Sequence, residues 1–289
     1  MKPKLSLHIT DTSSTQFWID LLSQRYDLVM DPISPHYLIF GDRNFGQNNL
    51  HYMNATRIFY TGENERPYNY KHDFSISFDH DSETNYRFPG YAATPYWYSK
   101  YPKDTILKSH TIKYPKDRFC LFVHRNGSCH VRNYFFQLLN RYKKVDAAGP
   151  LFHNVDFSIG AEYDEKIELA KRYKFVLAFE NGGYPGYVTE KIMDGFYAGA
   201  VPIYWGSYKV QEDFNAKSFI NAHNWIQHND DNLQEGLSNV LDRIIKVDQN
   251  DTLYNEYLEQ PKLIDNKLTP VFDQDRLLDW WESTVMKDV

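Results

Sequence analysis

The sequence is poor in cysteine, has no long apolar run and shows no excess of positive charge. Two cysteines in 289 residues, Cys120 and Cys129, exclude a disulfide framework and the small secreted scaffolds that depend on one. No stretch approaches the ~20 apolar residues of a membrane-spanning helix. The first residues, Met1-Lys-Pro-Lys-Leu-Ser-Leu-His-Ile-Thr10, hold no apolar signal core with a cleavage site, so a cytoplasmic chain is expected. On that reading the glycosylation sequons at Asn54, Asn126 and Asn250 carry no meaning. A formal net charge of −6 removes the basic footprint of general nucleic-acid binding and gives no polybasic membrane contact. The two common phosphate loops are absent as well. The glycine-rich stretch at 182–186 is neither G-x-G-x-x-G nor a loop ending in Gly-Lys-Ser/Thr, which leaves its chemistry open.

What remains is a soluble globular composition, with 42% hydrophobic and 24% charged residues. The length suits two domains of ordinary size. Strand-like runs at Leu5–Ile9, Tyr37–Phe40, Arg57–Tyr60 and Phe74–Phe78, with a helical pattern at Thr15–Tyr26, argue for a first α/β domain. Residues 79–117 are rich in Tyr, Pro and Lys without clean periodicity, and about 108–117 reads as a linker. A second α/β domain starts with the apolar strand Phe119–Val123. A helix follows from about Val131, with Phe135, Leu138, Leu139 and Tyr142 inward and Arg132 in its first turn. A strand ends at Val145–Gly149, and Asp164–Tyr173 is helical. Further helices are expected at Asp231–Val247, at about 251–258, and at Asp273–Met286, which carries Trp280 and Trp281.

Residues 174–206 organise the whole. Phe175–Phe179 is an unbroken apolar run, as in a strand buried on both faces. Gly182, Gly183, Pro185 and Gly186 interrupt regular structure. Thr189 is a candidate helix cap, Ile192, Met193, Phe196 and Tyr197 share one helical face, and Gly199 is a stop. Val201–Trp205 is the next strand. Ligands of open α/β sheets bind at the C-terminal ends of strands, beside helix N-termini. Here that place holds Glu180, Asn181, Tyr187, Glu190 and Lys191. An ordinary βαβ unit with a glycine turn is the plain alternative.

The candidate groups suggest a chemistry. Arg132 and Lys191 are cations, each at the start of a helix that follows a strand, so a diphosphate between them would receive charge-assisted hydrogen bonds. Glu190 and Asn181 suit sugar hydroxyls. Glu63, in Thr61-Gly-Glu-Asn64 at the end of a first-domain strand, supplies a carboxylate. A nucleotide-sugar transferase needs such a set: a base for the acceptor hydroxyl and cations for the departing diphosphate. Asp79-His80-Asp81 has the D-x-D form that holds manganese in some glycosyltransferases, but so short a pattern reads first as a turn after the strand at 74–78. The histidines, among them His8, His51 and His153, lack metal-ligand spacing.

Tyr60-Thr-Gly-Glu-Asn64, the segment around Val131-Arg-Asn133, Phe179-Glu-Asn181 with Tyr187-Val-Thr-Glu-Lys-Ile192, and Ala200-Val-Pro-Ile-Tyr-Trp-Gly206 resemble the α-1,3-fucosyltransferases of glycosyltransferase family 10. The resemblance covers the second domain almost throughout and thins to the Thr-Gly-Glu-Asn island in the first. It is nearest to soluble bacterial members, without the Golgi anchor and stem of animal ones. It implies an α/β chain of GT-B fold, two Rossmann-like domains facing a cleft, divided at 1–116 and 117–269, with a C-terminal helix at about 270–289 packing back on the first. It implies inverting, metal-independent transfer of L-fucose from GDP-β-L-fucose to O3 of GlcNAc in an N-acetyllactosamine-type glycan, giving a Lewis x-type product. Membrane association would be at most peripheral, at the inner membrane. By the same resemblance Glu63 is the general base. Arg132 and Lys191 bind the diphosphate, while Asn181, Tyr187 and Glu190 hold the ribose and fucose. His124-Arg125 stands where smaller residues are expected, and the basic heptad-repeat tail of some bacterial members has no counterpart. The alternatives are a GT-B transferase for another sugar nucleotide, a manganese enzyme using Asp79 and Asp81, and a non-catalytic carbohydrate- or nucleotide-binding protein.

Overall fold

The computed structural model describes residues 1–98, 100–157, 159, 163–226 and 232–287. By its contacts the chain divides into two compact units: Met1–Ala92 with Pro270–Val289, and Ala93–Thr269. Residues 93–116, which the sequence reading placed before the boundary, group with the second unit.

The first unit is built on a parallel sheet of β1 (Lys4–Thr10), β2 (Asp27–Met30), β3 (Tyr37–Phe40), β4 (Thr56–Tyr60), β5 (Phe74–Ser77) and β6 (Asn85–Arg87), in the order β2-β1-β3-β4-β5-β6. The middle strands are apolar runs because both faces are covered. All four residues of β3 are buried, as are Arg57 to Tyr60 of β4. Helix α1 (Thr15–Leu22) buries Phe17, Trp18, Leu21 and Leu22. It is shorter than expected: by Ser23 the helix has reached its cap.

The second unit opens with short turns of helix, α2 (Thr94–Trp97) and α3 (Thr105–Lys108), the latter inside the stretch bordering the expected linker. Its sheet comprises β7 (Arg118–Phe122), β8 (Val145–Ala147), β9 (Tyr173–Phe179), β10 (Val201–Trp205) and β11 (Ile220–Asn221), in the order β11-β10-β9-β7-β8, all parallel. The helices are α4 (His130–Tyr142), α5 (Tyr163–Ala170), α6 (Glu190–Tyr197), α7 (Leu233–Asp248) and α8 (Asp251–Leu258). Asp231, the expected start of α7, lies outside the described residues. One core joins Phe135 and Leu139 of α4, Phe175, Leu177 and Phe179 of β9, Val201 and Ile203 of β10, and Leu237, Val240 and Ile244 of α7.

Two glycines of the second unit shape helix α6, and Gly199 is the stop expected of it. Gly199 has φ +55, and the turn it makes sends its N–H to Phe196 O (3.1 Å) and that of Ala200 to Gly195 O (2.9 Å). This pair of bonds is the Schellman stop. Gly195 lets α6 lie flat on β10, for a Cβ there would meet Pro202 Cγ at 2.8 Å.

The chain ends in the first unit. Helix α9 (Gln274–Trp280) runs into a π-helical turn at Trp281–Val285. Asp275, Asp279 and Glu282 sit one turn apart and all reach Arg25, at 3.1, 2.6 and 3.1 Å. Trp281 is buried and packs on Tyr37.

Candidate active site

In the second sheet β7 has β8 on one side and β9 on the other, so the chain changes direction between β7 and β9. That switch point is where an open α/β sheet leaves a crevice for ligand at its strand ends. The loop after β7 carries His124, Arg125 and Asn126, and the residues after β9 are Glu180 and Asn181.

Arg132 ties these ends together. A cation in a helix's first turn is expected on an exposed face or against an anion, but Arg132 is fully buried. Its Nη1 donates to Asn181 Oδ1 (2.6 Å) and Phe179 O (3.3 Å), and its Nη2 donates to Asn126 O. Its Nε–H has no hydrogen-bond partner among the described residues.

The loop 182–189 ends at Thr189, which takes the cap position of α6 with extended backbone. Its hydroxyl does not cap the helix. It is turned to the Glu180 carboxylate, at 3.0 and 2.8 Å from the two oxygens, and Glu180 also accepts the Thr189 N–H at 2.7 Å. Lys191 completes the knot: Nζ lies 2.8 Å from Thr189 Oγ1, 3.1 Å from Glu180 and 3.6 Å from Glu190. Burial works to lower the Lys191 pKa, but Glu180 and Glu190 more than offset it, so the ammonium stays charged. Glu180 is raised by its own burial, against the pull of Lys191. For Glu190 burial again opposes ionisation, yet Lys191 and Lys166 hold its carboxyl below the usual value. Tyr187 is buried and Asn181 half-buried beside this knot.

His124 belongs to the core of this region. It is buried, and its Nε2 lies 3.1 Å from the Leu177 carbonyl; a carbonyl only accepts, so Nε2 carries the proton. Burial and the cations Arg132, Lys191 and Lys166 keep it neutral. Arg125 is exposed.

A model of glycosyltransferase family 10 (fucosyltransferase), C-terminal part, matches residues 113–274, more than half of the chain. The chain belongs to glycosyltransferase family 10. The family's N-terminal fucosyltransferase model matches residues 7–94. The chain is 35% identical over 239 residues to an alpha-(1,3)-fucosyltransferase FucT of Helicobacter pylori; the match covers 71% of this chain and 49% of that protein, so the chain spans about half the length of this relative. Two crystal structures of alpha1,3-fucosyltransferase align over 100% of the chain. One, covered to 92%, has a TM-score of 0.78 at 25% identity. The other, with GDP-fucose and covered to 93%, has 0.74 at 24%. The fold is GT-B, each unit carrying its own parallel α/β sheet.

Of the family-10 site residues anticipated from sequence, Arg132, Asn181, Tyr187, Glu190 and Lys191 come together at the ends of β7 and β9. Glu63 is in the first unit, exposed, in the turn after β4. Its N–H bonds Thr61 Oγ1 (3.0 Å) and its carbonyl accepts from the Glu65 N–H (2.8 Å). The first sheet's own switch point is between β1 and β3, so Glu63 stands one strand beyond it. Asp79 pairs with Arg66 (3.1 Å), and Asp81 pairs with Arg276 (2.7 Å) while accepting the Arg87 N–H (2.7 Å). Each is thus a turn carboxylate with an arginine partner. Among the described residues no group of three or more His, Cys, Asp or Glu could hold a metal ion. Both cysteines are free and buried. No helix among the described residues is long and apolar enough to cross a membrane.

The sequence reading gave no role to Glu180, Lys166 or Asp194. A signal existed for Asp194: it lies four residues after Glu190 on a helix whose remaining residues, Lys191 apart, are apolar, and a carboxylate on such a face calls for a cation.

Proposed function

We propose that this chain transfers L-fucose from GDP-β-L-fucose to O3 of GlcNAc in N-acetyllactosamine-type glycans, with inversion and without a metal. Membership of family 10 and the likeness to a structure solved with GDP-fucose support the donor. The observation that carries the reading is the gathering of two cations, the buried Arg132 and the part-buried Lys191, at the switch point of the second sheet beside the first turn of α6. A diphosphate there would take the place of protein acceptors such as Asn126 O and Asn181 Oδ1, and gain charged hydrogen bonds.

In the reaction the acceptor O3 attacks the anomeric carbon on the face opposite GDP. Glu63 takes the hydroxyl proton. The bond from the anomeric carbon to the β-phosphate oxygen breaks, and its electron pair stays on GDP, where Arg132 and Lys191 stabilise the growing charge. Asn181, Tyr187 and Glu190 hold the ribose and fucose. The arginine partners of Asp79 and Asp81 favour the turn reading over a manganese site. The test is mass spectrometry of N-acetyllactosamine incubated with GDP-fucose, GDP-mannose or UDP-sugars, with and without EDTA. A fucosylated product from GDP-fucose alone, undiminished by EDTA, is expected. Transfer from another donor, or loss with EDTA and recovery with manganese, would overturn the reading.

A further inference from the structure

Behind the donor-side knot lies a second set of charges. Glu190 and Asp194 are one turn apart on α6. Asp194 is fully buried, and its two oxygens are met separately: Tyr98 donates to Oδ1 at 2.5 Å and Lys166 of α5 pairs with Oδ2. The Lys166 side chain is itself only 15% exposed. Lys166, Asp194, Lys191 and His124 line one small cavity of about 10 Å³, closed by Leu121, Leu177 and their neighbours, just room for a single water. The region therefore sets three cations, Arg132, Lys166 and Lys191, against three carboxylates, Glu180, Glu190 and Asp194, around a neutral histidine. Removing Lys191 or Lys166 leaves a buried carboxylate, Glu180 or Asp194, without its paired cation.

We propose that Lys166 is a positioning residue for the donor site: anchored on Asp194, its ammonium holds the face of α6 that presents Glu190 to the sugar of the donor. The inference rests on the functional reading above, which places Glu190 at the donor. Lys166 acts through α6 and through its field. The groups facing Glu190 are Lys191 and Thr189 beside it, Asp194 on its own helix, Glu180 from β9, Lys166 from α5 and Tyr98 from the segment after α2. Lys166 and Lys191 are the cations among them. Without Lys166, the buried Asp194 loses its cation and this face of α6 loses a contact that fixes it, so Glu190 is no longer held against the sugar hydroxyl.

The experiment compares wild type, Lys166→Met, Lys166→Arg and the double variant Lys166→Met/Asp194→Asn. GDP-fucose affinity by calorimetry and KM and kcat for transfer are measured at neutral pH. The double variant removes the stranded carboxylate, so it remains folded where Lys166→Met alone does not. Donor affinity is expected to weaken roughly tenfold in the variants lacking the ammonium. KM then rises by a similar factor with a smaller change in kcat, and Lys166→Arg restores wild-type affinity. A folded double variant with wild-type donor affinity, or an arginine variant as impaired as methionine, overturns the inference. Wild type that binds GDP-fucose but transfers nothing defeats the functional reading and leaves this one decided by donor affinity; wild type that binds no donor defeats both.

Discussion

Arg132 shows how far one side chain's role depends on atoms the sequence does not display. Three of its hydrogen bonds go to acceptors brought close by folding, and two of those are backbone carbonyls. A residue-by-residue reading sees a first-turn cation, either on an exposed face or reaching for an anion, and does not foresee backbone carbonyls as its partners. Lys191 was more legible, since the adjacent Glu190 and the glycine loop mark a ligand site, although its pairing with Glu180 was not. Charged hydrogen bonds of this kind are worth roughly 1.5–3 kcal/mol each. Arg132→Ala and Lys191→Ala should each weaken GDP binding by about tenfold or more and lower turnover, read by calorimetry and initial rates. Unchanged affinity and turnover in both would remove their diphosphate role. Lys262 offers a second test at this scale. It is buried, donates to Tyr257 O and Leu258 O at the end of α8, and burial lowers its pKa to about 7. Its folded pKa lies below the unfolded one, so between about pH 7 and 10 the unfolded chain holds more protons and stability rises with pH. Lys262→Met removes that charge. Its stability relative to wild type should be highest at pH 7 and decline toward pH 10 in urea melts, and a pH-independent difference would contradict the assignment.

Elements were legible where one physical signal dominates. The apolar runs of β3, β4, β7, β9 and β10 are buried strands because parallel sheets covered on both faces leave no room for alternation. The short edge strands β2 and β6 were not. Asp27-Leu-Val-Met30 is largely exposed and Asn85-Tyr-Arg87 is mostly polar, so neither carries a periodic signal and each is defined by its ladder alone. At Thr189 the cap position was read correctly but the hydroxyl's partner was not, since Glu180 arrives from β9. The stop of α6 was readable from Gly199 because only a left-handed residue closes the Schellman turn there. Gly199→Val would force a branched side chain into φ +55 with its Cβ 3.2 Å from Ile112 O. Such strain costs of order 1–3 kcal/mol. The measurement is the urea midpoint, expected to fall with the slope unchanged. An unchanged midpoint would mean the turn does not define the end of α6.

At the scale of the whole molecule, the two units carry different parts of the proposed chemistry. The second supplies the cations and the groups for ribose and fucose, and it is also where the resemblance in sequence is dense. The first supplies Glu63 in a four-residue island, and nothing in composition or periodicity distinguishes that carboxylate from any exposed turn glutamate. Family resemblance gave it a role, and the fold gives it an address at the end of β4, with its backbone held by Thr61. Glu63→Gln keeps size and a hydrogen bond but cannot take a proton. The most direct measurement is turnover of GDP-fucose with N-acetyllactosamine beside GDP affinity, in wild type and in Glu63→Gln. The account predicts a fall in turnover of about 10²–10⁴-fold with GDP affinity unchanged, because Arg132 and Lys191 are untouched. Near-normal turnover in the glutamine variant would contradict it.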